Sequence, residues 1–239
     1  MKTLKLGLLA IVAMVSASSV TAQTADEIVS KHFEALGGKA KIAEIKTLHT
    51  ESNFEIAGQS APSVTTIVNG KGFRNEVDFG GQKMIQVVTD KSGWMINPMT
   101  GQSTATPLSD EQFKLAKQQI FIGGPLYNYA EKGNKVELAG REDVNGVNTY
   151  KLKMTTADKA ESFYYIDPTK YYIVKQSITA EVNGEKAETI TLFSDYKKTD
   201  FGYVVPYKME IQLPQISLVS TVNKVEINKP VAETIFNQG

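Results

Sequence analysis

The sequence predicts a mostly β (α+β) protein built on one long antiparallel sheet. Between Arg141 and Leu213 apolar and polar residues alternate, as in Tyr150-Lys151-Leu152-Lys153-Met154. Tyr207, Met209, Ile211 and Leu213 likewise alternate with Lys208, Glu210 and Gln212. Successive strand side chains point to opposite faces, so the pattern describes a sheet with one dry and one wet face. The joins agree: Asn145-Gly146, Asp167-Pro168-Thr169-Lys170 and Asn183-Gly184 are turn chemistry, since Gly and Asn tolerate positive φ and Pro presets its own. Extended along the chain, this reading gives about 11 strands, interrupted by a helical start and one mid-chain helix.

Taken in order, Met1 to Ala22 reads as a secretory signal peptide. Lys2 and Lys5 precede a short apolar run from Leu6 to Val15, and small residues end in Val20-Thr21-Ala22. The run is too short to span a bilayer core as a retained anchor. Residues 23–239 are then expected to form one domain. A helix starts at Thr24: Thr24-Ala25-Asp26-Glu27 is a capping box, and Ile28, Val29, His32, Phe33 and Leu36 form one stripe at helical spacing. Gly37-Gly38 stops it, and a second short helix is expected over about Lys39 to Lys46, with Ile42 and Ile45 on one side.

Strands follow. Leu48, Phe54 and Ile56 share parity; Phe73, Val77 and Phe79 alternate with Arg74, Glu76 and Asp78; Met84 to Thr89 is more uniformly apolar; Trp94 and Ile96 lie in a strand ended by Pro98. Ser109 and Gln112 then form a second capping box, with Leu108 placed to pack on Phe113 as a hydrophobic staple. Phe113, Ala116 and Ile120 mark the apolar side of this helix, and the irregular stretch Phe121-Ile122-Gly123-Gly124-Pro125-Leu126 follows. From Lys135 strands resume to Ile227, and the end, Lys229 to Phe236, is expected to close an edge.

The composition narrows the function. The chain has 239 residues, 41 % hydrophobic and 22 % charged, which is ordinary globular usage. Its 26 Lys and Arg balance 26 Asp and Glu, so no net field draws nucleic acid or an anionic membrane. The absence of cysteine removes disulfides, thiolate metal sites, a thiol nucleophile and an N-terminal lipid-modified Cys. The two histidines, His32 and His49, have no HExxH or nearby acidic cluster in the sequence, and the Gly-Gly pairs lack the spacing and Lys of a phosphate loop. No catalytic constellation, metal site or cofactor site emerges. A sheet of this size has more dry face than its few helices can cover at normal packing density, so it closes on itself, splits into a sandwich, or curves around the helices and leaves an apolar pocket. The candidates to line such a pocket are Phe54, Ile56, Phe73, Val77, Phe79, Trp94, Ile96, Tyr165, Ile190, Leu192, Met209 and Ile211.

The order of several motifs resembles a known family. Ala25-Asp26-Glu27-Ile28-Val29-Ser30-Lys31-His32-Phe33-Glu34-Ala35-Leu36-Gly37-Gly38 followed by Ile45-Lys46-Thr47-Leu48 looks like the start of outer-membrane lipoprotein-sorting proteins. Gly93-Trp94-Met95-Ile96-Asn97-Pro98 resembles their Trp-x-x-Asn-Pro strand, Gly124-Pro125-Leu126 and Glu131-Lys132-Gly133 their central segment, and Phe193-Ser194-Asp195-Tyr196 a late strand. That group is similar to the LolA/LolB-like periplasmic lipoprotein carriers. The resemblance implies a strongly curved, incompletely closed half-barrel with helices on its concave face and a cavity for acyl chains. It also implies a lid made of the helix after Ser109 and the Gly-Gly-Pro segment, with Phe113, Ile120, Phe121 and Leu126 as its apolar side chains. No residue here aligns with the arginine that holds the lid in the well-known carrier.

The implied function is a non-enzymatic, monomeric periplasmic carrier of lipid or lipoprotein acyl chains. The same fold also suits an envelope sensor or protein-interaction module, and more remotely a secreted enzyme accessory. Export is directly checkable: the mature chain is expected to begin at Gln23, and the intact mass of the exported protein reads this out. An exported chain that keeps Met1 to Val20 would refute the cleavage site.

Overall fold

The computed structural model describes residues 23–182, 185–214 and 216–237. The expected signal peptide and the expected Asn183-Gly184 turn lie outside the described residues.

The first helix, α1 (Ala25–Ala35), forms where its cap signals it. The Thr24 hydroxyl accepts from the Glu27 backbone N–H at 3.2 Å, and the Glu27 carboxylate accepts from the Thr24 N–H at 3.0 Å. Gly37 and Gly38 end the turn at φ +112° and +93°. At Gly37 a side chain is excluded twice over, because a Cβ there would lie 2.6 Å from the Gly202 carbonyl oxygen. The second helix, α2 (Lys39–Ala43), is shorter than expected, yet Ile42 and Ile45 are both buried as the spacing requires.

Thirteen strands follow: β1 (Thr47–Ile56), β2 (Gln59–Val68), β3 (Gly72–Phe79), β4 (Gln82–Thr89), β5 (Gly93–Asn97), β6 (Gln102–Pro107), β7 (Lys135–Val144), β8 (Val147–Thr155), β9 (Glu161–Ile166), β10 (Ile173–Val182), β11 (Glu185–Lys198), β12 (Val204–Leu213) and β13 (Ile216–Ile227). Between β6 and β7 come α3 (Asp110–Ala116), capped by Ser109 and Gln112, and a 3-10 turn, Lys117–Ile120. The count exceeds about 11 because β2 and β6 are rich in Ser, Thr and Gln and carry little apolar alternation. All thirteen strands lie in one unclosed sheet of order β6-β5-β4-β3-β2-β1-β13-β12-β11-β10-β9-β8-β7. Each neighbour is the next strand in sequence except one pair, β1 with β13. The two free edges are therefore β6 and β7, and residues 108–134 must travel from one to the other.

The helices sit on one face, called the front here. Ile28, Val29 and Phe33 of α1 join Ile42, Ile45, Ile122, Leu126, Leu152, Met154, Tyr164 and Ile166 in one buried cluster, with Leu48, Ile67 and Ile227 packed against it. Ile67 on β2 and Leu152 on β8 are seven strand spacings apart in the order. A flat sheet would hold them ~34 Å apart, whereas a helix is only ~10 Å wide. The sheet therefore curls around its helices. A second cluster, Val88, Ala116 and Ile120 with Phe73, Leu108, Phe113 and Phe121, fixes α3 and the following turn over β3 and β4.

The chain's end does not close an edge. Its 3-10 turn, Glu233–Phe236, packs on the opposite face, the back, across β3, β4 and β5. The Arg74 guanidinium donates to the Ile235 carbonyl at 2.9 Å, and the Trp94 indole donates to the Phe236 carbonyl at 3.3 Å. Gly72 leaves room for this contact, since a Cβ there would meet the Phe236 ring at 2.8 Å. Strand β4 is thus covered on both sides, and its successive residues Val87 and Val88 are both 0 % exposed. That explains its uniformly apolar sequence.

His32 lies inside the α1 stripe, 3 % exposed, and its Nδ1 contacts the Tyr171 carbonyl oxygen at 2.8 Å. A neutral ring with the proton on Nδ1 donates that bond. Burial pulls the imidazole pKa down from 6.5 to about 4, against the opposing effect of the Tyr171 bond. Between pH 6.5 and about 4 the unfolded chain binds a proton there that the folded chain does not, so stability is lost as the pH falls through that window. Between pH 7 and pH 5 the protein should lose about 2 kcal/mol more than a His32→Gln variant, which keeps a side-chain donor and cannot titrate. Urea unfolding at the two pH values measures this; parallel losses would show that His32 is protonated in the fold.

Candidate functional site

Cross-strand partners in an antiparallel pair share a face, so the register assigns every strand residue to front or back. From the core outward, Leu152 pairs with Tyr164, Tyr164 with Gln176, Gln176 with Thr191, Thr191 with Ile211, Ile211 with Leu218 and Leu218 with Ile56. On the other side of β1, Phe54 opposes Ala61, Ser63 opposes Val77, and Val77 opposes Met84. Phe54, Ile56, Phe73, Val77, Phe79, Met209 and Ile211 therefore share the front face, as expected for one lining. The T-shaped contact of Phe54 with Phe79, centroids 6.4 Å apart, fits this assignment.

Trp94, Ile96, Tyr165, Ile190 and Leu192 do not join them. Trp94 opposes Val87, which opposes Arg74, and Ile96 opposes Ile85; these are back-face residues beside the C-terminal turn. Leu192 opposes Glu210 and Lys175, Ile190 opposes Gln212 and Ser177, and Tyr165 opposes Lys151 and Lys175. Alternation within a strand shows that two parities differ. Which parity faces the helices is set by the pairing partner, and strands β5 and β11 turn their larger aliphatic parity outward. The back face compensates locally. Lys151 and Lys175 lie 5.4 and 4.3 Å from the Tyr165 ring centroid, and both ammonium groups pair with Glu142, at 2.7 and 3.3 Å. That pairing, from Lys151 first, holds the Glu142 carboxyl below its ordinary range.

The front face is unevenly covered. Both buried clusters lie toward the strand ends that carry Leu48, Ile67, Phe73 and Val88. Toward the other ends, Phe54, Ile56, Phe79, Met84, Met209, Ile211 and Leu218 are only half-buried, and none packs against either cluster. Leu213, on the same parity, is 38 % exposed. Large apolar side chains left uncovered on one sheet face are where an apolar ligand or partner lies down.

The segment joining the edges borders this surface. Phe113, Ile120 and Phe121 belong to the second cluster, whereas Leu126 is 1 % exposed inside the main core, so the four expected lid residues divide between two packings. Gly70 donates to the Ile120 carbonyl at 2.8 Å, and Asn69 Oδ1 accepts from the Ile122 N–H at 3.1 Å. At the far side Lys114 of α3 pairs with Asp158 in the turn between β8 and β9; this pair, then Thr156, lowers the Asp158 pKa to about 2.

Two recesses lie on the back. One of about 510 Å³ is lined by Arg74, Glu76, Ile85, Trp94 and Ile96 with the C-terminal turn, and another of about 310 Å³ by Val144, Val147, Val174, Leu192, Lys208 and Glu210. His49, Glu51 and Glu226 bring ligand atoms within 4.8 Å of one another. The Lys224 ammonium already bridges the two carboxylates at 3.3 and 3.2 Å, supplying their counter-charge.

The architecture matches solved structures. An outer membrane lipoprotein-sorting protein domain from Vibrio parahaemolyticus superposes with a TM-score of 0.58 at 15 % identity, over 89 % of this chain and 97 % of the other. A LolA superfamily protein from Nitrosomonas europaea gives 0.59 at 12 % identity, over 90 % and 98 %. A DUF1329 family protein from Desulfovibrio piger gives 0.60 at 13 % identity, also over 90 % and 98 %. The chain therefore has the LolA-like fold; at these identities the likeness is one of fold. No family model matches the sequence, and no curated protein matches it.

The uneven cover makes a prediction about stability. Leu152, 0 % exposed in the main core, should cost 2–5 kcal/mol when replaced by Ala, on the order of other buried large-to-small changes. Ile211→Ala on the uncovered stretch should cost about 1 kcal/mol or less. Urea midpoints of the two variants test this, and equal losses would mean that Ile211 is part of the core.

Proposed function

We propose that the protein is a non-enzymatic binding protein of the cell envelope that carries an acyl chain of a lipid or lipoprotein on the uncovered part of its front face. The observation that carries the reading is the run of half-buried apolar side chains from Phe79 and Met84 through Phe54 and Ile56 to Leu218, Ile211 and Met209, on a face the helices cover only in part. The fold shared with a lipoprotein-sorting domain and a LolA superfamily protein supports it. So does the leader-like Met1 to Ala22, which directs the chain to the periplasm in this reading. The remainder then works as one domain and a monomer, with the segment from Ser109 to Tyr129 as its lid. Burying ten methylenes contributes about 8 kcal/mol before ordering costs, the scale of micromolar binding.

The test has two parts. Native mass spectrometry of protein purified from the cells that make it should show a mass increment that lipid extraction removes. A fluorescent fatty acid should then bind the delipidated protein, and the Phe54→Ser, Ile211→Ser double variant should weaken it about tenfold or more while Leu192→Ser, on the back, leaves it unchanged. Delipidated protein that takes up no acyl chain would refute the carrier, and a protein partner recovered without lipid would favour a sensor.

A further inference from the structure

One buried ammonium in the edge-joining segment has no hydrogen-bonding partner in the protein. Lys132 sits in the tight turn after Tyr129, where its N–H donates to the Tyr129 carbonyl at 3.2 Å. Its ammonium nitrogen is buried and makes no hydrogen bond, the only lysine of which this is true among the described residues. The acid beside it does not serve: the Glu131 carboxylate accepts from the Asn128 amide at 3.1 Å. What the ammonium does meet is the face of the Phe121 ring, 4.9 Å from its centroid. An aromatic face compensates a buried cation in part, and leaves its three N–H donors without acceptors. Burial lowers the lysine pKa, with Glu131 opposing.

The position is informative. Phe121 belongs to the front cluster over β3 and β4, half-buried at its border. Lys132 therefore brings a positive charge to the front face at the covered ends of the strands, while the uncovered apolar run lies toward the other ends. Along β3 that separation, from Phe73 to Phe79, is about 20 Å, the order of an extended long acyl chain. With the Lys117–Ile120 turn lifted from β3 and β4, where Ile120 packs beside Phe73, the charge stands at one end of a continuous apolar strip, which fits an amphiphile with one anionic end.

We infer that Lys132 anchors the anionic head of the amphiphile whose chain lies on the front face, its ammonium exchanging the Phe121 ring for a carboxylate or phosphate oxygen. The inference rests on the acyl-chain reading above and adds the class of head group. An oxyanion supplies the charge-assisted hydrogen bonds that Phe121 cannot.

Binding of oleate, lysophosphatidylglycerol and oleyl alcohol to the delipidated protein tests it, with Lys132→Met keeping the apolar stem and removing the charge. The native protein should bind at least one of the two anions about tenfold tighter than the alcohol, and which anion wins identifies carboxylate or phosphate. Lys132→Met should bring the preferred anion to within about twofold of the alcohol and leave the alcohol's affinity unchanged. The variant's melting temperature should hold or rise, because an incompletely paired buried charge has been removed. Equal binding of anion and alcohol by the native protein overturns the inference but not the carrier. So does a Lys132→Met variant that melts several degrees lower and loses the alcohol as well. Binding of none of the three overturns the carrier itself.

Discussion

The pairing of β1 with β13 is the contact on which the rest of the architecture depends. Every other pair in the sheet joins strands consecutive in the chain, eleven of the twelve being local in this sense. Local pairs form with short loops and small closure entropy, whereas β1 and β13 bring together residues 48 and 227. Once they pair, two meanders that would each expose a long raw side become one sheet with its first and last strands at the centre. The middle of the chain is thereby sent to the periphery. Residues 108–134 have to bridge the open side, and their apolar residues find shelter only on the front. The second cluster and the position of Lys132 both descend from that one long-range pairing.

Much of the fold was legible because local chemistry agreed with it. Thr24 with Glu27 and Ser109 with Gln112 cap helices as their spacing says, and the uniformly apolar Met84 to Thr89 forms a strand, whose cover on both sides only the structure shows. What remained hidden depended on pairing between distant residues. Ile190 and Leu192 alternate as cleanly as Met209 and Ile211, but the register sets Leu192 against Glu210 and so reverses their faces. Trp94, expected on one lining with Phe54 and Phe79, lies instead on the back, where it borders a recess and anchors the C-terminal turn, whose landing place nothing in Lys229 to Phe236 announces. Lys132 was visible only as part of the Glu131-Lys132-Gly133 motif, with no role attached. Its lack of an acceptor is a fact of three dimensions.

Burial is divided along the strands rather than between layers. At one end the helices, the second cluster and the neutral His32 make a dry, closely packed body. At the other the same strands keep their pleat and their ladder hydrogen bonds while their side chains stay half in water. Such a division lets the stable end hold the geometry of the less stable end, which is where binding surfaces are usually drawn from.

An unclosed sheet also presents two strands with free backbone groups, and these invite pairing with another chain. The edges here are built against it in two ways. Strand β6 is six residues long, polar, and ends in Pro107. Strand β7 carries Lys135, Glu137, Arg141, Glu142 and Asp143 among its ten residues, and its ladder is broken between Leu138 and Arg141, where Gly140 takes φ +115°. A chain that keeps an apolar run half-exposed on its front face leaves little room for charge there. Protection of the two edges against pairing with another chain falls to a proline, a kink and five charges.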